Sequence, residues 1–258
     1  MKLISIIGLP RSGTTLLGRT LAAAEGVAYF EEPNPLWRFR NWRRLGHEEF
    51  HREDATLDVC RYIRRSLVPS RCHNRYIVEK TPSNVLRIGF VEAVVPEARL
   101  LFVRRRGDDL RSSMLKKWRT GEDANATRLN DSGAFRTARS KLEKLRFVHP
   151  SEFPLYAAAE IRALYSGLQR GYVDFWGPQF KGWQTYRGRD PETVVEISCR
   201  RMEETLETGI AACRARHAVI AYEDLLADPA AVLYDALVAL DCEDLDPSNG
   251  FCFFAEKV

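Results

Sequence analysis

The segment Gly8-Leu9-Pro10-Arg11-Ser12-Gly13-Thr14-Thr15 ends one apolar run and opens a helical one, and it constrains this chain more than any other stretch. The run before it, Leu3–Gly8, reads as a strand buried on both faces. Similar short runs recur at Tyr76–Glu79, Leu100–Val103 and Ala218–Ala221, with a weaker one at Val27–Phe30. Helical spacing lies between them: Thr14–Ala24, Leu57–Leu67, Ser83–Val94 and Asp109–Trp118. A further helix is predicted over Pro191–Arg216, with Val195, Cys199, Met202, Leu206 and Ile210 on one stripe, and another from Asp228-Pro229 to about Leu240. This alternation predicts an α/β fold of three layers, a central parallel sheet flanked by helices. Residues 119–190 break the rhythm with polar, Gly- and aromatic-bearing sequence. They read as an inserted, mainly helical or irregular cap within a single domain, 1–258, whose core is about 1–118 and 191–258.

Composition narrows the partners. Lys+Arg is 39 against Asp+Glu 35, a net +4 that excludes a polycationic nucleic-acid coat. Of those cations 31 are Arg, the forked, permanently charged side chain suited to phosphate, sulfate and carboxylate. The six cysteines form no Cys-x-x-Cys pair, as expected of a reduced chain. The N-terminal apolar stretch is too short for a signal peptide, and no run approaches the ~18 residues of a membrane span. A cytoplasmic protein without a membrane span or nucleic-acid partner is the expectation.

The glycine spacing of residues 8–15 is that of a Walker A loop, G-x-x-x-x-G-K-[ST], in the matching strand–loop–helix context, so the fold is expected to be P-loop-like. Such a loop offers successive backbone N–H groups and a helix N-terminus to an anion. Thr14, however, stands where an ATPase has its lysine. Nor does the Leu100–Val103 run end in an Asp suited to Mg²⁺. It ends in Arg104-Arg105-Arg106, which repels a metal and attracts a second anion. Two anion sites without a metal describe a nucleotide with separated phosphates. An ATP-dependent small-molecule kinase with a relocated cation is the first alternative. A non-enzymatic anion- or RNA-binding protein is a second, weakened by the lack of a basic stripe interleaved with aromatics.

On these residues the chain resembles the PAPS-dependent sulfotransferase superfamily, whose donor is 3′-phosphoadenosine 5′-phosphosulfate. Pro10-Arg-Ser-Gly-Thr-Thr-Leu16 resembles the family's 5′-phosphosulfate loop. Arg104 and Ser112 have the spacing of its 3′-phosphate element, with Ser113 as the alternative, although Arg105-Arg106 replaces the usual Asp-Pro. Val78-Glu79-Lys80-Thr81-Pro82 is similar to the strand-end Lys-x-Pro element of the tyrosylprotein and many bacterial branches. Tyr222-Glu-Asp-Leu225 is similar to a late segment that reads as architectural. The four motifs run in order from about residue 3 to 240 and leave 119–190 unmatched.

The resemblance implies in-line sulfonyl transfer from PAPS to a hydroxyl, or secondarily an amine, of a carbohydrate, glycolipid or small molecule, with 3′,5′-ADP as product and no metal required. Arg11, Ser12, Gly13, Thr14 and Thr15 are then the 5′ site, and Arg104 and Ser112 the 3′ site. Lys80 and Arg11 are the cations for charge developing on the bridging oxygen. Glu32 of Glu31-Glu32-Pro33 is the base, with Glu31 as the alternative.

Two further patterns compete for attention. His47-Glu48-Glu49-Phe50-His51 spells the zinc pattern H-E-x-x-H, with His73 as a conceivable third ligand, but its Arg-rich, non-amphipathic flanks read as a solvated surface helix. The aromatics of Trp176–Trp183 suit either an acceptor or adenine pocket or plain packing.

Overall fold

The computed structural model of the chain describes residues 1–68, 74–127, 145–158, 161 and 175–255. Five strands form one parallel sheet: β1 (Lys2–Gly8), β2 (Val27–Glu31), β3 (Tyr76–Lys80), β4 (Arg99–Arg104) and β5 (His217–Ala221), in the order β2-β3-β1-β4-β5. All five lie where apolar runs predict them; β1, β3 and β4, inside the sheet, are buried almost throughout, while the edge strands β2 and β5 are only partly buried. Alternate residues feed two cores. Leu3, Ile7, Ile77, Leu100 and Phe102 face one side, and Ile4, Ile6, Val78, Leu101 and Val103 the other.

Helices cover both faces. Helix α1 (Thr14–Ala22) packs Leu17 and Leu21 on the second face, beside Leu233 and Leu237 of the Pro229–Ala239 helix. The first face is covered by α4 (Leu57–Leu67), α5 (Ile88–Val94), α6 (Gly107–Thr127) and α7 (Pro191–Ala212). Two short helices, α2 (Asn34–Arg38) and α3 (Asn41–Leu45), follow β2.

Several boundaries differ from the periodicity. The helix expected over Ser83–Val94 is broken into a 3₁₀ turn, Pro82–Leu86, and α5, because Arg87 between them takes non-helical backbone (φ −149°, ψ 38°) and turns its side chain inward. Helix α6 runs past Trp118 to Thr127, its polar continuation invisible to an apolar period. Helix α7 stops at Ala212 rather than Arg216, since Glu92 Oε1 accepts from the amides of Arg214 and Ala215 at 2.7 and 2.8 Å and straightens the chain into β5. Much of 119–190 lies outside the described residues. Of its described part, Phe147, Phe175 and Phe180 join the first core.

The strand order places the site. The chain leaves β1 toward β2 on one side and leaves β4 toward β5 on the other, so the C-terminal ends of β1 and β4 open a crevice. The register sets Gly8 beside Val103, Ile6 beside Lys80 and Arg104 beside Ala221. Helix α1 is held from behind by the C-terminal segment. A Cβ on Gly250 would lie 2.4 Å from the carbonyl oxygen of Thr20. Gly250→Ala is therefore expected to cost about 1–3 kcal/mol in denaturant unfolding, as overpacking against backbone does. An unchanged midpoint would show that this docking is not required.

Candidate active site

The phosphate loop takes the form its glycines allow. Gly13, before α1, has φ +92°, and no side chain caps the first turn of α1. Arg11 is also left-handed, at φ +71°. The Oγ of Ser12, a residue 1% exposed, is buried without a hydrogen-bond partner. An uncapped helix start, a left-handed glycine and an orphaned hydroxyl fit an anion that completes the loop. Thr14 is buried, while Arg11 and Thr15 line a cleft of about 350 Å³.

Glu32 and Lys80 line the same cleft. Lys80, 1% exposed, ends β3 and donates from Nζ to Glu32 Oε1 at 2.8 Å. Just past the end of β2, the Glu32 amide donates to the Lys80 carbonyl at 2.7 Å, and Glu32 has φ +55°. This left-handed residue turns the chain off the sheet edge and swings the carboxylate over Lys80. Glu31, the other carboxylate of the pair, faces Arg19 at 3.4 Å, away from Lys80. The structure thus brings together Arg11, Thr15, Glu32 and Lys80, which lie far apart in the chain.

The element expected to hold the 3′-phosphate is less simply arranged. Arg104 stands at the end of β4, where its guanidinium pairs with both carboxylate oxygens of Glu207 on α7, Nε to Oε1 at 2.8 Å. Ser112 is exposed on α6, whereas the Oγ of Ser113 accepts from Arg11 Nε at 3.3 Å. A second cavity of about 270 Å³ lies in the crevice, lined by Leu9, Ser12, Arg104, Arg105, Leu206 and Glu207.

Sequence reasoning missed the opposite wall of the cleft, which includes Asn34, Arg38, Glu48 and Ser83. The H-E-x-x-H stretch is not the solvated surface helix its flanks suggest. Residues 46–51 are irregular, and Glu48 and Glu49 are buried. Glu48 Oε1 accepts from Asn34 Nδ2 at 2.6 Å and Arg38 Nε at 2.9 Å, and Oε2 accepts from the Gln179 amide at 2.8 Å. Glu49 accepts from Arg201 at 2.6 Å. Because residues 46–51 form no helix, His47 and His51 do not share the helix face on which the zinc pattern depends. No group of three or more His, Cys, Asp or Glu suited to a metal occurs among the described residues, and His73 lies outside them. No helix among those residues is long and apolar enough to cross a membrane.

The Trp176–Trp183 stretch divides its roles. Trp176, Gly177 and Pro178 line the cleft, while Phe180 packs in the core and Trp183 Nε1 donates to the Gly46 carbonyl at 2.9 Å.

Beneath this wall runs a buried polar chain. The Glu79 carboxylate, wholly buried, accepts from Ser5 Oγ at 2.8 Å, Trp37 Nε1 at 3.0 Å and Asn84 Nδ2 at 3.2 Å. Asn84 Oδ1 accepts from Arg87 Nε at 2.9 Å, and Arg87 also donates to Asn34 Oδ1 at 2.8 Å. Burial raises the Glu79 carboxyl above its ordinary range and lowers Arg87 to about 10. At Glu48 burial also opposes the charge, but Arg38, Arg87 and the Gln179 amide outweigh it and hold the carboxyl at about 2.

A parallel sheet with a glycine phosphate loop at its crevice defines a P-loop-like nucleotide-binding domain. The model of the sulfotransferase family matches residues 4–149, more than half the chain. The chain belongs to that family and is a PAPS-dependent sulfotransferase. Its fold is similar to that of the sulfotransferase STF1 of Mycobacterium tuberculosis, at 13% identity and a TM-score of 0.53, covering 100% of this chain and 71% of that one. A sulfotransferase domain from the curacin biosynthetic pathway is 15% identical, with a TM-score of 0.46, covering 96% of this chain and 77% of that one. No curated protein sequence matches the chain.

The depressed Glu48 carboxyl has a testable sign. Its stabilisation is complete above the unfolded value of about 4.5 and is lost as pH falls toward about 2. Glu48→Gln is expected to be less stable than wild type by roughly 3 kcal/mol near neutrality. The gap in denaturant unfolding should shrink between pH 5 and pH 3. A gap constant over that range would show that Glu48 is not held ionised.

Proposed function

We propose that the protein transfers the sulfonyl group of PAPS to a hydroxyl of a carbohydrate, glycolipid or small-molecule acceptor, with Glu32 as the base. The observation that carries this reading is the Lys80–Glu32 pair, at 2.8 Å, in one cleft with Arg11 and Thr15 of the phosphate loop. The loop amides from Gly13 to Thr15 and the Arg11 side chain hold the donor's 5′-phosphate. Arg104, with Ser112 or Ser113, holds the 3′-phosphate in the crevice between β1 and β4. Arg104 then exchanges the Glu207 carboxylate for phosphate, one bidentate anion for another.

The acceptor hydroxyl gives its proton to Glu32 as its oxygen bonds to sulfur, and the bond from sulfur to the bridging oxygen breaks. Negative charge then grows on the departing 5′-phosphate, where Lys80 and Arg11 stand ready without reorganising. Lys80 is suited to both partners, since burial leaves it little water and Glu32 holds it in place. The polar wall of Asn34, Arg38, Glu48 and Ser83, with Trp176 opposite in kind, supports a hydroxyl-bearing acceptor, because fixed donors and acceptors reward a ligand that pairs them.

Thermal unfolding with ligands tests the donor. 3′,5′-ADP at about 100 times its dissociation constant is expected to stabilise the protein by about 2.7 kcal/mol, and Mg·ATP much less. Stabilisation by Mg·ATP alone would overturn the reading. Glu32→Gln and Lys80→Met are expected to lose roughly 10²–10⁴-fold in kcat, the range of general acid–base catalysis, while 3′,5′-ADP still binds to Glu32→Gln. Near-normal turnover in Glu32→Gln would remove it as the base.

A further inference from the structure

The turn after β4 contains a residue to which neither proposed donor site gives a role, although it lines the crevice cavity. Arg105 lies between Arg104 and Arg106, where the resembled pattern has an acidic residue, and its side chain turns back across the crevice. Its guanidinium sits 4.5 Å from the centroid of the Tyr222 ring, and one terminal nitrogen donates to the Arg11 carbonyl oxygen at 2.7 Å. Tyr222, just past β5, lies against the phosphate loop. A Cβ placed on Gly13 would come within 2.3 Å of its ring. The loop is thus gripped at two points by one stacked pair.

The grip falls on the strained part of the loop. Arg11, at φ +71°, holds a conformation that L-residues with a Cβ avoid, and such backbone persists only where its surroundings over-determine it. The carbonyl that Arg105 holds is Arg11's own. Without it, Arg11 is free to relax and the N–H groups that follow lose their common direction. The Tyr222 ring blocks the same motion from the Gly13 side. Arg105 also ties the loop to the strand end bearing Arg104, so the two phosphate sites keep a fixed separation.

We propose that Arg105 and Tyr222 are positioning residues: a cation–π brace that holds the phosphate loop in its anion-binding form before the donor arrives. The proposal rests on the reading of that loop as the 5′-phosphate site. Preorganisation of this kind improves donor binding and leaves the chemical step alone.

The test compares Arg105→Ala, Arg105→Lys and Tyr222→Leu with wild type, with Arg64→Ala as a control for loss of an exposed cation. Amide hydrogen exchange over residues 11–16 is measured without ligand, followed by 3′,5′-ADP affinity and steady-state kinetics. In Arg105→Ala and Tyr222→Leu, exchange over the loop is expected to quicken about tenfold while the sheet is unchanged. The Kd for 3′,5′-ADP and the donor KM should rise about tenfold, with kcat and acceptor KM within about twofold. Arg105→Lys, which keeps the charge but lacks the fork, should fall between. It decides alone if Arg105→Ala yields no folded protein.

Unchanged loop exchange in these variants overturns the brace even if donor affinity falls, since a direct phosphate ligand would weaken binding without loosening the free loop. A fall in kcat at unchanged donor KM overturns it as well. Wild-type protein that binds no 3′,5′-ADP overturns the donor reading and the brace together, whereas wild-type binding matched by Arg105→Ala overturns the brace alone.

Discussion

Glu79 places a carboxylate, wholly buried, one residue from the end of a strand in the interior of the sheet. Leaving such a group without partners would cost several kcal/mol, so the surrounding elements are obliged to supply donors. Ser5 does so from β1, Trp37 from α2, and Thr81 and Asn84 from the turn after β3. Asn84 then engages Arg87, Arg87 engages Asn34, and Asn34 engages Glu48 at the cleft. The position of the α2 segment over the sheet edge follows from this chain, as does the break that makes Arg87 turn inward. Lys80 is the next residue along β3, and its placement depends on the same strand end staying where the carboxylate pins it.

The cleft is consequently asymmetric. One wall is backbone: loop amides at the start of α1, whose affinity for anions comes from geometry and needs no side-chain charge. The other wall is side chains that already satisfy one another, Glu48 with Arg38 and Asn34. The first wall lacks a partner for its uncapped helix start. The second offers fixed donors and acceptors to whatever acceptor the cleft takes. Between them lies the Lys80–Glu32 pair, to which the proposed mechanism gives proton removal on one side and charge neutralisation on the other.

Much of the fold was legible because both of its signals are local. A strand covered on two faces is apolar for most of its length, which revealed β1, β3 and β4, while the edge strands β2 and β5 showed as shorter apolar runs. Helix limits were less legible where side-chain demands outrank periodicity: at Arg87, whose buried guanidinium breaks a helix, and at Glu92, whose carboxylate ends α7 by capturing the next amides. The site divides similarly. Arg11, Thr15, Glu32 and Lys80 were visible as motif residues at strand ends. Asn34 and Arg38 were not, since nothing in their neighbourhood has a period or a motif. Glu48 was visible for the wrong reason, inside a pattern that reads as a zinc site or a solvated helix. Its buried charge is held by Arg38 and the Gln179 amide, the latter 131 residues away. Tyr222 was seen within a motif but read as architectural. Its contact with Gly13 requires β5 to end beside β4, which is a fact about sheet order.

By itself the sequence determined that this chain forms a parallel sheet with a phosphate loop after its first strand, and that the loop lacks the lysine of an ATPase. Those properties follow from apolar runs, glycine spacing and the identity of one residue, all read over fewer than ten positions. Only the tertiary structure decided which of Glu31 and Glu32 meets Lys80, which serine meets Arg11, and that Arg105 reaches back to the loop. Each of those choices depends on where separate strand ends come to lie relative to one another. Strand order and a single left-handed residue at the sheet edge set that relation, and neither is written in a local pattern.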